Sequence, residues 1–305
     1  MPQSLKSSLR TAAMQCGAVA VGFTGCKPVD KAAFAKFQQW IAADNHGEMA
    51  YMANYTDIRR NPELLLPGAR TIIVCAFSYY HPEKPTGLQF AMYAHGDDYH
   101  EVLRHRLQPL ADTLKRGGYT CRICVDSAPI IERYWAQQAG IGFVGLNHTL
   151  IVPGHGSYVF LAEILTDAEI PTDRPCPTAC DMCMKCVQNC PAGALRANNG
   201  FDARRCLSYL TIEHRGVLPE TIEGAPISRL LSHCVYGCDT CQSVCPHNTD
   251  IPITTIEEFR LRPQMLHITR NDILSMSTAA FADIFRHSAV KRLKLSGLYR
   301  NASLI

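Results

Sequence analysis

The chain has 305 residues, of which 47% are hydrophobic and 19% charged, with a formal net charge of +3. This is the composition of an ordinary soluble globular protein, long enough for one large domain plus a smaller module. No apolar stretch approaches the ~18–20 residues that a membrane span needs, the N-terminal segment shows no signal-peptide pattern, and the mild charge permits a nucleic-acid partner without arguing for one.

Residues 1–170 read as an α/β domain within an α+β chain. Runs rich in β-formers at Val19–Phe23, Thr71–Phe77, Tyr119–Val125 and Tyr158–Leu165 predict strands, with helical patterns between them. A helix is expected over Ala32–Ala43. The clearest one follows Asp98: Tyr99, Val102, Leu103, Leu107, Leu110 and Leu114 form one apolar stripe, Asp98 with Glu101 resembles a capping box, and Gly117-Gly118 ends it. A third helix is expected from about Pro129 to Ala139, which would make Asp126 an N-cap. Three prolines within PTDRPCPT mark the passage to a second region, residues 171–255, and a helical tail occupies 256–305.

The second region carries the chemistry. Cys180-x2-Cys183-x2-Cys186-x3-Cys190-Pro191 is followed by Cys238-x2-Cys241-x3-Cys245-Pro246. Thiolates at these intervals, closing on Cys-Pro, wrap two [4Fe–4S] clusters, because each run gives three close ligands to one cluster and its last cysteine to the other. Zinc also takes paired C-x2-C, but a tetrahedral site has four ligands and no use for the Cys-Pro closure. Disulfide scaffolds belong to small secreted chains, and oxygen-sensitive clusters point to the reducing cytoplasm. The second run lacks one member: Val235 stands where repetition would put a cysteine, leaving Cys206 and Cys234 as candidates. One set is therefore Cys180, Cys183, Cys186 and Cys245, and the other Cys190, Cys238 and Cys241 with Cys206 or Cys234. The stretch between the two halves must lie against the clusters or against whatever they reduce. Two cubanes fused to an α/β domain imply one-electron delivery into an active site. No G-x-G-x-x-G follows the first strands, so a nicotinamide site of the Rossmann kind is not indicated.

The strings HGEMAYM, RRNPELLLPGAR, GDDYH, VDSAPIIERYWAQQAGIGFVGLN, GSYVFLAEILTD, ARRCLSYLTIEHRG and YGCDTCQSVCPHN occur in the order found in the epoxyqueuosine reductases, and the chain resembles that family over nearly its whole length. The resemblance implies a cobalamin-binding α/β domain similar to corrinoid-processing proteins and nitroreductases, followed by a two-cluster ferredoxin module. It implies reduction of the epoxide of epoxyqueuosine to the alkene of queuosine, at the wobble position of tRNAs for Asp, Asn, His and Tyr. Asp126, in VDSAP, resembles the family's proton donor, a role for which burial against an apolar corrin face would raise its pKa. The cysteine of RRCLSYL, Cys206, resembles the distant cluster ligand. Arg59, Leu150, Leu161, Ser208, Tyr236, Gly237 and Asp239 match positions that approach the corrin.

The tRNA anticodon stem-loop would meet Arg204, Arg205, Arg215 and the tail lysines, with salt-sensitive phosphate contacts. An electron donor is implied without being identified, and the chain is expected to act as a monomer. This chain has Gly145-Leu146-Asn147 where many relatives have G-K-N, and Gly96-Asp97-Asp98 where many have a basic residue; both changes are expected to remove positive charge near the substrate mouth. Two other classes use similar parts: another cobalamin and iron–sulfur reductase resembling the reductive dehalogenases, and a non-catalytic electron-transfer ferredoxin. The former usually carry a twin-arginine signal, which MPQSLKSSLR lacks, and the latter has no need of Asp126.

Overall fold

The computed structural model describes residues 2–198 and 200–305. Its centre is a four-stranded sheet built from β1 (Ala20–Gly25), β2 (Thr71–Ser78), β4 (Cys121–Cys124) and β7 (Val159–Thr166), in the order β1-β2-β7-β4. Every pairing is antiparallel, with Val74 and Cys124 flanking Glu163 on β7. The four strands expected from sequence are these four.

Both faces of the sheet are covered, which is why β2 is apolar without alternation and buried at all eight positions. On one face Ile73, Cys75, Phe77 and Ile164 pack against Leu9 and Ala13 of α1 (Pro2–Gln15) and against Leu103, Leu107, Leu110 and Leu114 of α5 (Tyr99–Arg116). On the other, Ile72, Val74, Leu161 and Leu165 meet Phe34 of α2 (Lys31–Ala42) and Trp135 of α6 (Glu132–Gln138). Two short helices, α3 (Ala50–Ala53) and α4 (Thr56–Arg60), lie between α2 and β2.

Helix α2 is capped by Asp30, whose carboxylate accepts from the N–H groups of Ala32 and Ala33. Helix α5 has the predicted stripe and N-cap, but no capping box. Asp98 accepts from the His100 N–H at 3.0 Å, while Glu101 reaches across to His287 Nδ1 at 3.0 Å. Helix α6 starts later than expected. Its N-cap position is Ile131, without a side-chain cap, and Asp126 lies well upstream at φ 51. The left-handed backbone at Asp126 breaks the helical run and frees its carboxyl from a capping role.

A hairpin-like pair, β5 (Phe143–Val144) with β6 (Leu150–Ile151), leads into β7. Beyond β7 the chain forms α7 (Lys185–Gln188), α8 (Leu207–Ile212), the small hairpin β8–β9 (Thr221–Ile222 and Ala225–Pro226), α9 (Ile227–Leu231), β10 (Cys234–Tyr236) and α10 (Thr240–Ser243). Strand β10 pairs in parallel with β3 (Gln89–Phe90), so the cysteine-rich region is stitched to the first domain by main-chain bonds. The tail is helical as expected, with α11 (Arg270–Leu274), α12 (Thr278–Ile284) and α13 (Lys294–Ser303), and its apolar faces pack on Phe90, Val235 and Tyr236. Among the described residues, no helix is long and apolar enough to cross a membrane.

Gly22 on β1 passes so close to the turn after α6 that a Cβ there would collide with the Ala139 carbonyl and the Ile141 side chain. Gly22→Ala is expected to destabilise the fold by about 1–3 kcal/mol, because backbone must shift to admit the methyl group. Thermal unfolding followed by circular dichroism checks this, with Tm expected several degrees below that of the wild type.

Candidate functional site

Two sets of four cysteines gather around two cavities. Cys180, Cys183, Cys186 and Cys245 line the first, together with Leu146, Ile151, Met184 and Pro246. Cys190, Cys206, Cys238 and Cys241 line part of a larger cleft of about 400 Å³. The sets are thus arranged across the two halves, with Cys245 joining the first run and Cys190 the second. Met182 and Met184 take left-handed backbone at φ 54 and φ 65, the local reversals that let closely spaced cysteines face one centre. Each set rings a cavity rather than a point. Among the described residues, no three His, Cys, Asp or Glu side chains converge on a single-ion position.

Cys206 stands at the N-terminal end of α8, where the chain between the two halves turns back onto the cleft, and Leu207 and Ser208 join its lining. Cys234 instead points its thiol at the Gly237 carbonyl, 3.0 Å away. Leu146 is buried against Cys186 and Leu195, with Cys180, Cys190 and Cys241 packed around them, so one apolar partition separates the two sets. This corrects the expectation that Leu146 lies at the substrate mouth: its side chain forms a wall of the first cavity. Asp97 lies away from the thiols, its N–H donating to the Glu258 carbonyl at 2.6 Å and its carboxylate 3.7 Å from Arg262.

The wall of the cleft opposite the cysteines carries Asp126. Its Oδ2 accepts from the Tyr99 hydroxyl at 2.5 Å and lies 3.3 Å from His100 Nε2. His100 Nδ1 is 2.7 Å from Asp98 Oδ1, and the Tyr99 ring is sandwiched between His100 and Phe160, at 4.1 and 4.4 Å between ring centres. The Asp126 N–H donates to Glu132 Oε1 at 2.8 Å. Behind Glu132 stands Glu163, fully buried on β7, with the Glu132 carboxyl as its neighbour.

These contacts sort the charges. Burial pushes the Asp126 pKa up, but hydrogen bonds from His100 and Tyr99 and the charges of His100 and Arg292 outweigh it, so the carboxyl is held below its ordinary value. Burial, the cause expected to raise it, is the largest single contribution but is outweighed by these partners taken together. His100 loses stability as a cation through burial, yet its bonds to Asp126 and Asp98 raise its pKa to about 9. Burial and the neighbouring carboxylates push Glu132 and Glu163 upward. Sequence reasoning placed Tyr99 in the core stripe and did not single out His100, Glu132 or Glu163. The only sign was the polar GDDYH string at the start of an amphipathic helix.

Leu150, Leu161, Ser208 and Asp239 all line the cleft. Asp239 Oδ2 accepts from the Met92 N–H at 2.7 Å, which ties the cysteine loop to the 89–94 segment. Gly237, at φ 76, sits where a Cβ would strike Ala91, itself part of the cleft wall. Tyr236 lies behind that wall, accepting from the Tyr93 hydroxyl at 3.1 Å and donating to the Ala289 carbonyl at 3.0 Å. Arg59 is buried, with its guanidinium donating to the carbonyls of Tyr51 and Asn54 at 2.8 and 3.2 Å. Arg204 pairs with Asp202 at 2.9 Å and Arg205 with Glu223, while the Arg215 N–H donates to Glu48 at 2.9 Å.

Known proteins share this arrangement. The family described as Epoxyqueuosine reductase QueG matches residues 59–127, a stretch containing both Tyr99-His100 and Asp126, and a 4Fe-4S double cluster binding domain matches residues 179–248. The epoxyqueuosine reductase of Leadbetterella byssophila is 35% identical over 275 residues, covering 88% of each chain. The chain belongs to the epoxyqueuosine reductase family. The family's Aliivibrio fischeri member is 35% identical over 282 residues, covering 88% of this chain and 74% of that one. An epoxyqueuosine reductase crystallised with a tRNA-Tyr epoxyqueuosine-modified stem loop superposes with a TM-score of 0.91 at 30% identity, over 99% of this chain and 80% of the other. A catabolic reductive dehalogenase, at 16% identity and a TM-score of 0.50, shares the fold alone. As in its family, the cysteine region here is a module for two [4Fe–4S] clusters.

The buried acid pair has a measurable consequence. A carboxyl whose pKa is raised by folding favours the native state while protonated, and that contribution disappears as pH rises through the folded value. Wild-type Tm is therefore expected to fall from about pH 5 to about pH 8. Glu163→Gln, which keeps the shape and removes the ionisation, is expected to flatten that fall and to raise Tm at the alkaline end. Thermal denaturation across the pH series checks it.

Proposed function

We propose that this chain reduces the epoxide of epoxyqueuosine in tRNA to the alkene of queuosine, using electrons delivered through its two [4Fe–4S] clusters. The observation that carries the reading is one cleft with a carboxylate on one wall and four cluster-type cysteines on the other. A bare electron-transfer ferredoxin has no need of the Asp126 wall.

The residues lining the cleft also suit a corrin. At about 400 Å³ the opening falls within the range of ligand sites. Leu150, Leu161 and Val159 offer an apolar face, and Ser208, Asp239 and Gln242 offer polar groups on the cysteine side. Gly237 is buried directly behind the small Ala91 of the cleft wall, with its N–H donating to Thr211 Oγ1, so it would support that wall from behind. Cobalamin held between these walls would supply a metal that takes electrons singly and cleaves a carbon–oxygen bond. Arg59 would act from behind, bracing the end of α3 through the Tyr51 and Asn54 carbonyls. The assignment of Cys180, Cys183, Cys186 and Cys245 to one cluster, and of Cys190, Cys206, Cys238 and Cys241 to the other, is part of the same proposal.

Asp126, which lines the cleft, would donate to the oxygen leaving the substrate. The αL backbone at Asp126 and the Glu132 contact fix the loop, while Tyr99 and His100 fix the carboxylate. For the RNA, the anticodon stem-loop is the proposed substrate element. Arg204 and Arg205 reach it already paired with acids, so their phosphate contacts would be shared and weaker than those of free cations. A cytoplasmic monomer served by a separate reductant completes the proposal.

Deletion of the gene is expected to leave epoxyqueuosine in place of queuosine in cellular tRNA, measured by mass spectrometry of the nucleosides; unchanged queuosine would refute the proposal. Asp126→Asn is expected to retain iron and corrin while losing about 10²-fold or more in turnover of epoxyqueuosine-containing tRNA. Cys206→Ser, prepared without oxygen, is expected to drop from about eight irons per chain to about four. An unchanged count would move the ligand to Cys234.

A further inference from the structure

The reaction under Proposed function requires two protons per turnover. Epoxide, two electrons and two protons give alkene and water. Asp126 delivers protons in that reading, yet its surroundings stabilise the carboxylate. Oδ2 receives the Tyr99 hydroxyl at 2.5 Å and faces His100 Nε2 at 3.3 Å. A donor held as its conjugate base must be loaded from a neighbour.

The neighbour is identified by counting hydrogens. His100 Nδ1 lies 2.7 Å from Asp98 Oδ1, and Nε2 lies 3.3 Å from Asp126 Oδ2. A neutral imidazole has one N–H, so one of these contacts would set a lone pair against a carboxylate; only the imidazolium donates to both. The ring is also held in place. Asp98 Oδ1 receives the His100 backbone N–H at 3.0 Å as well, and Tyr99 stacks on the imidazole. About a fifth of the His100 side chain, 22%, is open to solvent, which gives it a route for recharging.

We propose that His100 stores the proton that Asp126 delivers and is recharged from solvent between the first and the second transfer. In each transfer the imidazolium first gives its Nε2 proton to the Asp126 carboxylate, and the neutral carboxylic acid so formed then protonates the substrate oxygen, leaving neutral His100 and ionised Asp126. The first transfer quenches the opened epoxide oxygen and the second lets it depart as water, while the clusters supply the electrons. His100 acts through Asp126 and is a positioning residue. Asp98 anchors it and sustains its charge.

The charged groups around the pair come from several elements. Asp98 and Arg104 share the helix with His100, and Arg104 donates to Ser127 Oγ at 2.8 Å, beside Asp126. Glu132 approaches from α6 with Glu163 behind it on β7, and Arg292 approaches from the C-terminal region. The two glutamic acids are biased towards their neutral forms, so Asp98 and Asp126 dominate the field at His100, while Arg292 acts on Asp126. The positive form of His100, with its pKa at about 9, is complete at neutral pH and disappears as pH rises through that value.

The test has two readouts and rests on the proposed function in only one of them. In the anaerobically purified full chain, histidine-selective 15N NMR is expected to show one of the twelve histidines keeping an imidazolium pattern to about pH 9. That signal should vanish in His100→Gln and titrate at lower pH in Asp98→Asn. With epoxyqueuosine-modified stem-loop as substrate, wild-type kcat should fall above the same pH. In Asp98→Asn the fall should move to lower pH. In His100→Gln, kcat should drop on the order of 10²-fold with little change in KM and lose that alkaline limb. A neutral His100 at pH 7, or a His100→Gln enzyme with wild-type kcat and pH profile, overturns the proposal. If wild type leaves the epoxide untouched, the function reading fails, while the NMR titration still decides the charge on His100.

Discussion

The structure depends on how the cysteine module is fastened to the open end of the central sheet. Asn248, just past the last cysteine-proline pair, makes the main connection. Its amide oxygen accepts from the Ser157 N–H at 2.7 Å, and its amide nitrogen donates to Ser157 Oγ at 2.9 Å and to the Gln242 carbonyl at 2.7 Å. Ser157 Oγ in turn donates to Gln242 Oε1 at 2.9 Å. These groups are buried or nearly so, which makes each bond costly to lose. Gly156 has no side chain because a Cβ would occupy the place of the Asn248 amide oxygen. Ser157 immediately precedes the strand segment that bears Leu161 and Glu163, and Gln242 sits between Cys241 and Cys245. One side-chain network therefore fixes the distance between the acidic wall and the thiol wall of the cleft.

That fastening also explains why the module can be split. The two cysteine runs come together although α8, α9 and a hairpin intervene, because the intervening chain contributes to the site instead of looping away. Cys206 and Ser208 enter the cleft from α8, and Thr211 on the same helix accepts the Gly237 N–H at 2.9 Å. Asn301 of the C-terminal helix then donates to the carbonyls of both Thr211 and Val235, at 2.8 and 2.9 Å. The tail clamps the two halves from behind, with its apolar side supplied by Phe281, Phe285, Leu293 and Leu298.

Much of this was legible in the residues. The uninterrupted run Thr71–Phe77 marked a strand buried on both faces, and the leucines from 103 to 114 marked the helix that covers it. Cysteine spacing divided the thiols between two centres, since few other sites use those intervals. The antiparallel order was not legible, because apolar runs give no strand direction. The helix after Asp126 was misjudged in its start, since Pro129 is a good first-turn residue and nothing local announces the left-handed backbone at Asp126. Leu146 was expected near the substrate mouth because many relatives carry a lysine there, whereas its apolar side chain packs in the partition beside Cys186. The partners of the Asp126 carboxyl were not legible either. Its sequence neighbours are apolar, but the groups that ionise it arrive from the start of α5, over twenty residues away.

The same geography separates two supplies that a reduction must keep apart. Under the proposed function electrons would enter from the thiol side, where Cys183 is exposed and Leu146 and Leu195 pack among cysteines of both sets. Protons would enter from the Asp126 side, through a tyrosine, a histidine and two aspartates at the start of α5 and in the loop after β4. Between them stand Leu150, Leu161 and Phe160, which offer no exchangeable hydrogen. A low-potential centre in direct contact with mobile protons would lose its electrons to them, so an apolar floor between the walls directs both to the substrate. Phe160 serves on both counts: it lines the cleft and stacks flat on Tyr99 at 8° between the rings, so the surface that keeps water from the thiol side also aligns the hydroxyl that grips Asp126. Proton placement and electron insulation therefore rest on one strand, β7, and on the packing that holds both its faces dry.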